Sequence, residues 1–269
     1  DMDVVADGSD GDRMAEMSSE IYNSDYYQPF TSYEWAKQGT TVNPLLAKWQ
    51  AKLEAVKKES GQKSSNARKA ELKAQTQHLE TEIKALKSRS SLIAEKDPFI
   101  VLSLLFKDYP RIMPQAPAMG DYAAVIHEDR IYPAICGDYG PSMKMGEASL
   151  FMARQINPKA TPYIRGEDAL KVTYLIFPGT AERPFGKPDL AKWHDKVGVF
   201  LTEIGGLGTA YSLHRWEQAE PSTAPACTST RSPRIEPGYT TTRATRWQSA
   251  PRRAPRPRTE RSEEHTSEL

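Results

Sequence analysis

Apolar positions along this chain change their period near residue 98. Before it, Leu46, Trp49, Leu53 and Val56 recur at steps of 3, 4 and 3, and Leu72, Thr76, Leu79, Ile83 and Leu86 at steps of 4, 3, 4 and 3. This spacing lays one apolar seam along each of two helices. The polar run from Glu59 to Ser65 separates them. The remaining positions are mostly Lys, Glu, Gln and Ala, which favour helix and face water. The pattern predicts an antiparallel helical hairpin over residues 44–95, inserted into another fold and packed on itself. A partner-binding arm is the alternative.

After residue 98 the pattern shortens. Phe99 to Leu102 and Leu104 to Phe106 read as a buried strand region. Tyr122 to Ile126 and Ile131 to Ile135 read as the strands of a hairpin turning at residues 127–130. A glycine-rich loop follows Cys136, and a helix is expected from about Glu147 to Gln155. Leu170 to Phe177 reads as a further strand. Leu190, Trp193, Val197 and Leu201 mark one face of a last amphipathic helix over residues 189–204. Interleaved strands, long loops and helices give an α+β, β-rich domain made of residues 1–43 and 96–216.

Composition narrows the classes. Hydrophobic residues make up 38% of 269, which is low and suggests that part of the chain does not fold. Lys and Arg number 36 and Asp and Glu 35, a formal charge of +1. That balance argues against a generally basic nucleic-acid binder. Two cysteines exclude a disulfide-built mini-fold and a four-cysteine zinc site. No apolar run approaches the ~18 residues that a membrane span needs. The chain starts at Asp1, as a processed product or fragment would. The composition turns abruptly towards the C-terminus: residues 1–218 hold 18 Lys and 9 Arg, whereas residues 219–269 hold no Lys, 9 Arg and 7 Pro. Residues 217–269 are therefore expected to be disordered. Residues 261–269 match the translation of a common sequencing-library adapter, which points to a frameshift artefact rather than a natural Pro/Arg tail.

The chemistry gathers around one loop. Asp138 stands at the end of a strand and Glu147 nine positions later, with two glycines, Pro141 and Ser142 between them to let the loop fold back. Two carboxyls across one cleft can supply the acid and the base that cleavage of a glycosidic bond requires. The bland alternatives are a turn-forming Asp and a helix-start Glu satisfying the helix dipole. His78, His127, His194, His214 and His265 show no metal spacing, Cys136 reads as a buried thiol, and Cys227 lies in the tail.

The segment Gly137-Asp138-Tyr139-Gly140-Pro141 through Gly146-Glu147-Ala148-Ser149-Leu150 resembles the G-D-x-G-P and G-E-A-S-L signature of glycoside hydrolase family 75, the chitosanases. The acidic opening at Asp1 to Gly8, Thr31-Ser32-Tyr33, Asp121 to Val125 and Leu170 to Gly179 resemble further family segments in the right order. Two departures stand out: Val5 occupies a position where an acid is expected, and the helical hairpin is not part of the fungal pattern. The resemblance implies endo-acting, inverting hydrolysis of β-1,4-linked glucosamine in chitosan. Asp138 and Glu147 would be the two essential carboxylates, and no metal or cofactor is needed. The same strand, loop and acidic helix start also resemble the double-psi β-barrel of family 45 glycosidases, which implies a small six-stranded barrel and makes another cell-wall glycan a neighbouring substrate.

A polycationic substrate suits a locally acidic cleft. Asp3, Asp7 and Asp121 are its expected walls beside Asp138, with Asp1 as a further candidate. For Asp1, Asp3 and Asp7, turn formation or a weak calcium site is the alternative. Tyr122 and Tyr139 are expected to stack on sugar faces or to be buried with bonded hydroxyls. If the helix dipole holds Glu147 ionised, it is the base and Asp138 the acid. The expected partner is chitosan, met outside the cell by a secreted monomer, with neither nucleic acid nor membrane as a partner. The competing reading is a non-catalytic scaffold that presents the helical hairpin.

Overall fold

The computed structural model describes residues 1–217 apart from Ala15, Asp25, Tyr26, Pro114 and Arg165. All of them lie in the first of two units into which the chain divides, Asp1–Glu220. The expectation of a disordered, artefactual tail concerns residues outside this range.

The apolar run after residue 98 forms β4 (Phe99–Ser103), buried at every position. A strand apolar on both faces belongs in the middle of a sheet covered on both sides. β5 (Tyr122–His127) and β6 (Arg130–Gly140) form the expected hairpin, turning at Glu128 and Asp129. β1 (Asp3–Val5), β7 (Glu147–Ser149) and β8 (Val172–Ile176) complete the path β1–β7–β4–β6–β5–β8, and β9 (Ser212–Leu213) pairs with β6. β2 (Glu34–Ala36) and β3 (Arg89–Ser91) make a separate two-stranded sheet.

Residues alternate between two cores along these strands, as a pleated strand requires. Ile100, Leu102, Val125, Ala134 and Cys136 pack to one side, with Met2 and α4 (Leu150–Ile156). Phe99, Val101, Tyr122, Ile131 and Ile135 pack to the other, beneath α5 (Leu190–Glu203), whose Trp193, Val197 and Leu201 are its buried face. That face follows the sequence spacing.

The fold is α+β and strand-rich, but the sheet is not the closed six-stranded, double-psi-like barrel expected. Its ladder is open, ending at β1 and β8. β1 and β7 are three residues long, which leaves little backbone to carry a ladder round the seam. Side chains approach there instead, with the Tyr174 hydroxyl donating to Gly146 O at 3.0 Å. The helix expected from Glu147 also starts later. Glu147 is in β7, its backbone beside β1 on one side and β4 on the other. α4 begins at Leu150, capped by the Ser149 hydroxyl, which accepts from Met152 N at 3.2 Å.

α2 (Leu46–Ser60) and α3 (Asn66–Ser88) carry the two seams. They are tied near the turn by Arg68–Glu59 at 2.8 Å and towards the base by the Trp49 indole donating to Glu82 at 2.8 Å. Trp49, Ile83 and Leu86 enter the same core as the sheet. α3 runs directly into β3, and Leu92, Ile93 and Ala94 behind it are fully buried. A half-buried Arg13, bonded to the buried Asp10 and Asp97, ties this stretch to the loop after β1.

Candidate active site

The register of three strands builds the site. In β4, Val101 stands opposite Glu147 of β7 and opposite Asp138 of β6. Residues directly opposite one another share a face, so both carboxyls project on the Val101 side. Asp138 reaches that face through a bulge. Ile100 pairs with Cys136 and Val101 with Asp138, so Gly137 is the extra residue. A bulge re-aims the side chain that follows it; in unbroken register Asp138 would face the opposite core.

The glycines of the motif give room to the site. A Cβ on Gly137 would stand 2.6 Å from Phe99 Cβ and 2.7 Å from Leu92 Cδ1. A Cβ on Gly140 would collide with Glu147 Oε2 and lie 2.9 Å from Val101 Cγ1. The Glu147 carboxylate thus leans across Val101 towards β6.

Asp138 is held by three donors on one oxygen. Ser32 N at 2.9 Å, Ser32 Oγ at 2.7 Å and Tyr139 N at 2.8 Å all donate to Oδ1. Burial nevertheless raises its pKa above the ordinary aspartate value, against those bonds and with the Glu147 charge adding to the rise. Glu147 is buried and accepts from Lys144 Nζ at 2.7 Å. Lys144 also meets Asp3 at 3.1 Å. Burial opposes the ammonium charge, but these two carboxylates override it and raise the lysine pKa.

Both carboxyls line a cleft of about 860 Å³ that Asp7 shares. Asp7 Oδ1 accepts from Gln28 N at 2.8 Å. Burial raises this carboxyl to about 7, opposed by the Gln28 bond and reinforced by the charges of Asp138 and Glu147. Tyr163, on a turn closed by Thr161 Oγ1, stands exposed at the rim.

Asp138, Glu147, Asp7 and Tyr139 therefore border one cleft, with Asp3 joined to it through Lys144. Tyr139 supplies its N–H to Asp138, its ring packs against both cores and its hydroxyl meets the Met119 backbone. Asp121 and Tyr122 are elsewhere. The buried Asp121 carboxylate accepts from Ala118 N, Thr180 N and Ala181 N at 2.8–3.0 Å, pinning the start of β5 to the turn after β8. The Tyr122 hydroxyl donates to Glu182 at 3.3 Å in a separate small polar cavity. Ser32 was in a recognised segment, but nothing local linked it to Asp138, 106 positions away. Cys136 is a buried free thiol, its pKa pushed up by burial.

Among the described residues, no group of three or more His, Cys, Asp or Glu side chains is placed to hold a metal ion. No described helix is long and apolar enough to cross a membrane. A family model described as fungal chitosanase of glycosyl hydrolase group 75 matches residues 2–211, a span that includes α2 and α3. No curated protein matches the chain.

Proposed function

The chain belongs to the group 75 chitosanases, and from that premise we propose that it cleaves internal β-1,4 glucosamine linkages of chitosan with inversion, using Asp138 as acid and Glu147 as base. Membership makes it a glycoside hydrolase acting on a polysaccharide, and a purely scaffolding role gives way to that. The observation that carries the finer reading is the register of Asp138 and Glu147 on either side of Val101.

Glu147 leans across Val101 to the Gly140 position, two residues along β6 from Asp138. Two residues of strand span about 6.6 Å, which compares with the ~6.5–9.5 Å that inverting enzymes leave for a water; retaining pairs stand at ~5 Å. This supports attack by water on the face opposite the leaving oxygen. Lys144 Nζ stands against Glu147 at 2.7 Å and holds in place the carboxylate that takes a proton from that water. The reason differs from the helix dipole expected, since Glu147 lies in a strand. Asp138 suits the acid. Its three donors occupy Oδ1, leaving Oδ2 to carry the proton that burial retains, and Ser32 orients the group.

In each cleavage, the Asp138 proton passes to the leaving sugar oxygen as the C1–O bond breaks. The water oxygen bonds to C1, and its proton passes to Glu147. The polymeric substrate supports secretion. Asp138→Asn and Glu147→Gln should each lower hydrolysis by about 10²–10⁴-fold while circular dichroism stays unchanged. Azide should restore turnover to Glu147→Ala and give an α-glycosyl azide. Near-wild-type reducing-end release by either variant removes that residue from the mechanism. Cleavage of another glycan in preference to chitosan moves the substrate and leaves the pair.

A further inference from the structure

Four carboxyl side chains, Asp7, Glu34, Asp138 and Glu147, are among the described residues that line the cleft, and no Lys, Arg or His is among them. Two have cationic partners behind the cleft wall: Glu147 has Lys144, and Glu34 has Arg89. Asp138 has three hydrogen-bond donors on one oxygen. Asp7 is held through the Gln28 N–H on Oδ1.

The chain direction explains its aim. Asp3 of β1 stands beside Glu147 in parallel register, and Val5 beside Ser149. With side chains alternating along the strand, Asp3 and Val5 project on the side of Glu147, and Asp7 follows two residues beyond the strand end. Val5 and Asp7 both border the cleft.

We propose that Asp7 is the specificity-determining residue for the free amino group of chitosan: in the occupied cleft its carboxylate faces the ammonium of a glucosamine unit, and an acetylated unit is disfavoured there. This rests on the reading of the cleft as the chitosan site.

The physical argument is charge compensation. A half-buried, desolvated carboxyl facing two others keeps a proton when no cation is near. The groups facing Asp7 are Asp138 from β6 and Glu147 from β7, with Lys144 engaged behind Glu147 and the neutral Tyr27 phenol beside it. In the open cleft Asp7 therefore titrates at about 7. A sugar ammonium brought against it replaces that proton with a fixed positive charge, and the proton leaves to solvent. An N-acetyl group is neutral and cannot make the exchange. The amino group gains an ion pair inside a poorly hydrated wall, where such a pair discriminates more than at an exposed surface.

Asp7→Asn keeps the acceptor for Gln28 N and removes the charge. On fully deacetylated chitosan this variant should lose about tenfold or more in kcat/KM, chiefly through KM, and lose less on half-acetylated chitosan, so that the preference for the deacetylated polymer narrows. A second measurement uses the inactive Glu147→Gln protein with glucosamine hexamer. Calorimetry at pH 5–6, where the sugar amines are already ammonium and Asp7 still carries its proton, in two buffers of different ionisation heat should show proton release on binding, lost when Asp7→Asn is added. Unchanged preference for deacetylated polymer in Asp7→Asn, equal losses on both polymers, or proton release that persists without Asp7 each overturn the inference. Wild-type protein that leaves chitosan uncut overturns the chitosanase reading, and the inference with it.

Discussion

The Glu147 carboxylate occupies the space that a Cβ on Gly140 would fill. Two residues of one short motif, seven positions apart and on different strands, are thereby coupled: the second carboxyl leans towards the first only because a glycine stands between them. Gly137 does the same for Asp138 through the bulge.

Gly140→Ala should displace Glu147 and Val101 together. Hydrolysis should fall by about 10²-fold, the effect of a misplaced reacting group, while the thermal midpoint moves little because the site borders an open cleft. Gly137→Ala should differ, since its Cβ meets the Phe99 and Leu92 side chains in the core. Overpacking of that kind costs ~1–3 kcal/mol. Thermal melts and reducing-end assays on the two variants separate the roles, and equal loss of stability in both would contradict them.

Asp7 makes stability depend on pH with an unusual sign. Its folded pKa is about 7, against an ordinary value of 3.8. The folded protein therefore retains a proton that the unfolded chain has already released between those values. This contribution is whole below about pH 4 and is lost as pH rises to about 7. At 1.36 kcal/mol per unit the loss is on the order of 4 kcal/mol. Asp7→Asn should flatten that slope and raise the midpoint at pH 8. Denaturant titrations across pH 4–8 test it, and an unchanged slope would count against the assignment.

Arg13 lies between Asp10 and Asp97, and Asp97 also accepts from Ile93 N at 2.6 Å. Removing Asp97 leaves Arg13 paired with Asp10 alone and takes the acceptor from the buried Ile93 N–H. Asp97→Ala should cost about 1–3 kcal/mol, loosening the loop after β1 that leads on from Asp7. A midpoint within a degree or two of wild type would show that the network is dispensable.

The helical pair should divide into a dispensable tip and an essential base. Trp49, Ile83 and Leu86 belong to the main core and Leu79 packs against it, whereas Val56 lies outside it and lines an open apolar groove between the two helices. Replacing residues 57–75 with a short glycine-serine link should preserve folding and chitosan cleavage. Trp49→Ala should cost about 3–5 kcal/mol. Loss of folding in the shortened chain would place the tip within the cooperative unit.

Local spacing alone determined a good deal of this protein. The seams of α2 and α3, the Trp193, Val197 and Leu201 face of α5, the β5–β6 hairpin and the family motif around Asp138 and Glu147 all show in residues close together in the chain. Such elements depend on neighbours within a few positions, and a 3.6 or 2.0 period records which face is covered. The tertiary structure alone decided that Glu147 is a strand residue rather than a helix start, because β1 and β4 arrive from distant parts of the chain to pair with it. It decided between the cleft-wall and turn readings of Asp7, made Asp121 a backbone clamp, and left the sheet open. Above all it decided that Asp138 faces the cleft, since one unpaired residue at Gly137 turns the strand over. A register shift of one residue reverses every side chain beyond it, and no local period records where a partner strand will make that shift.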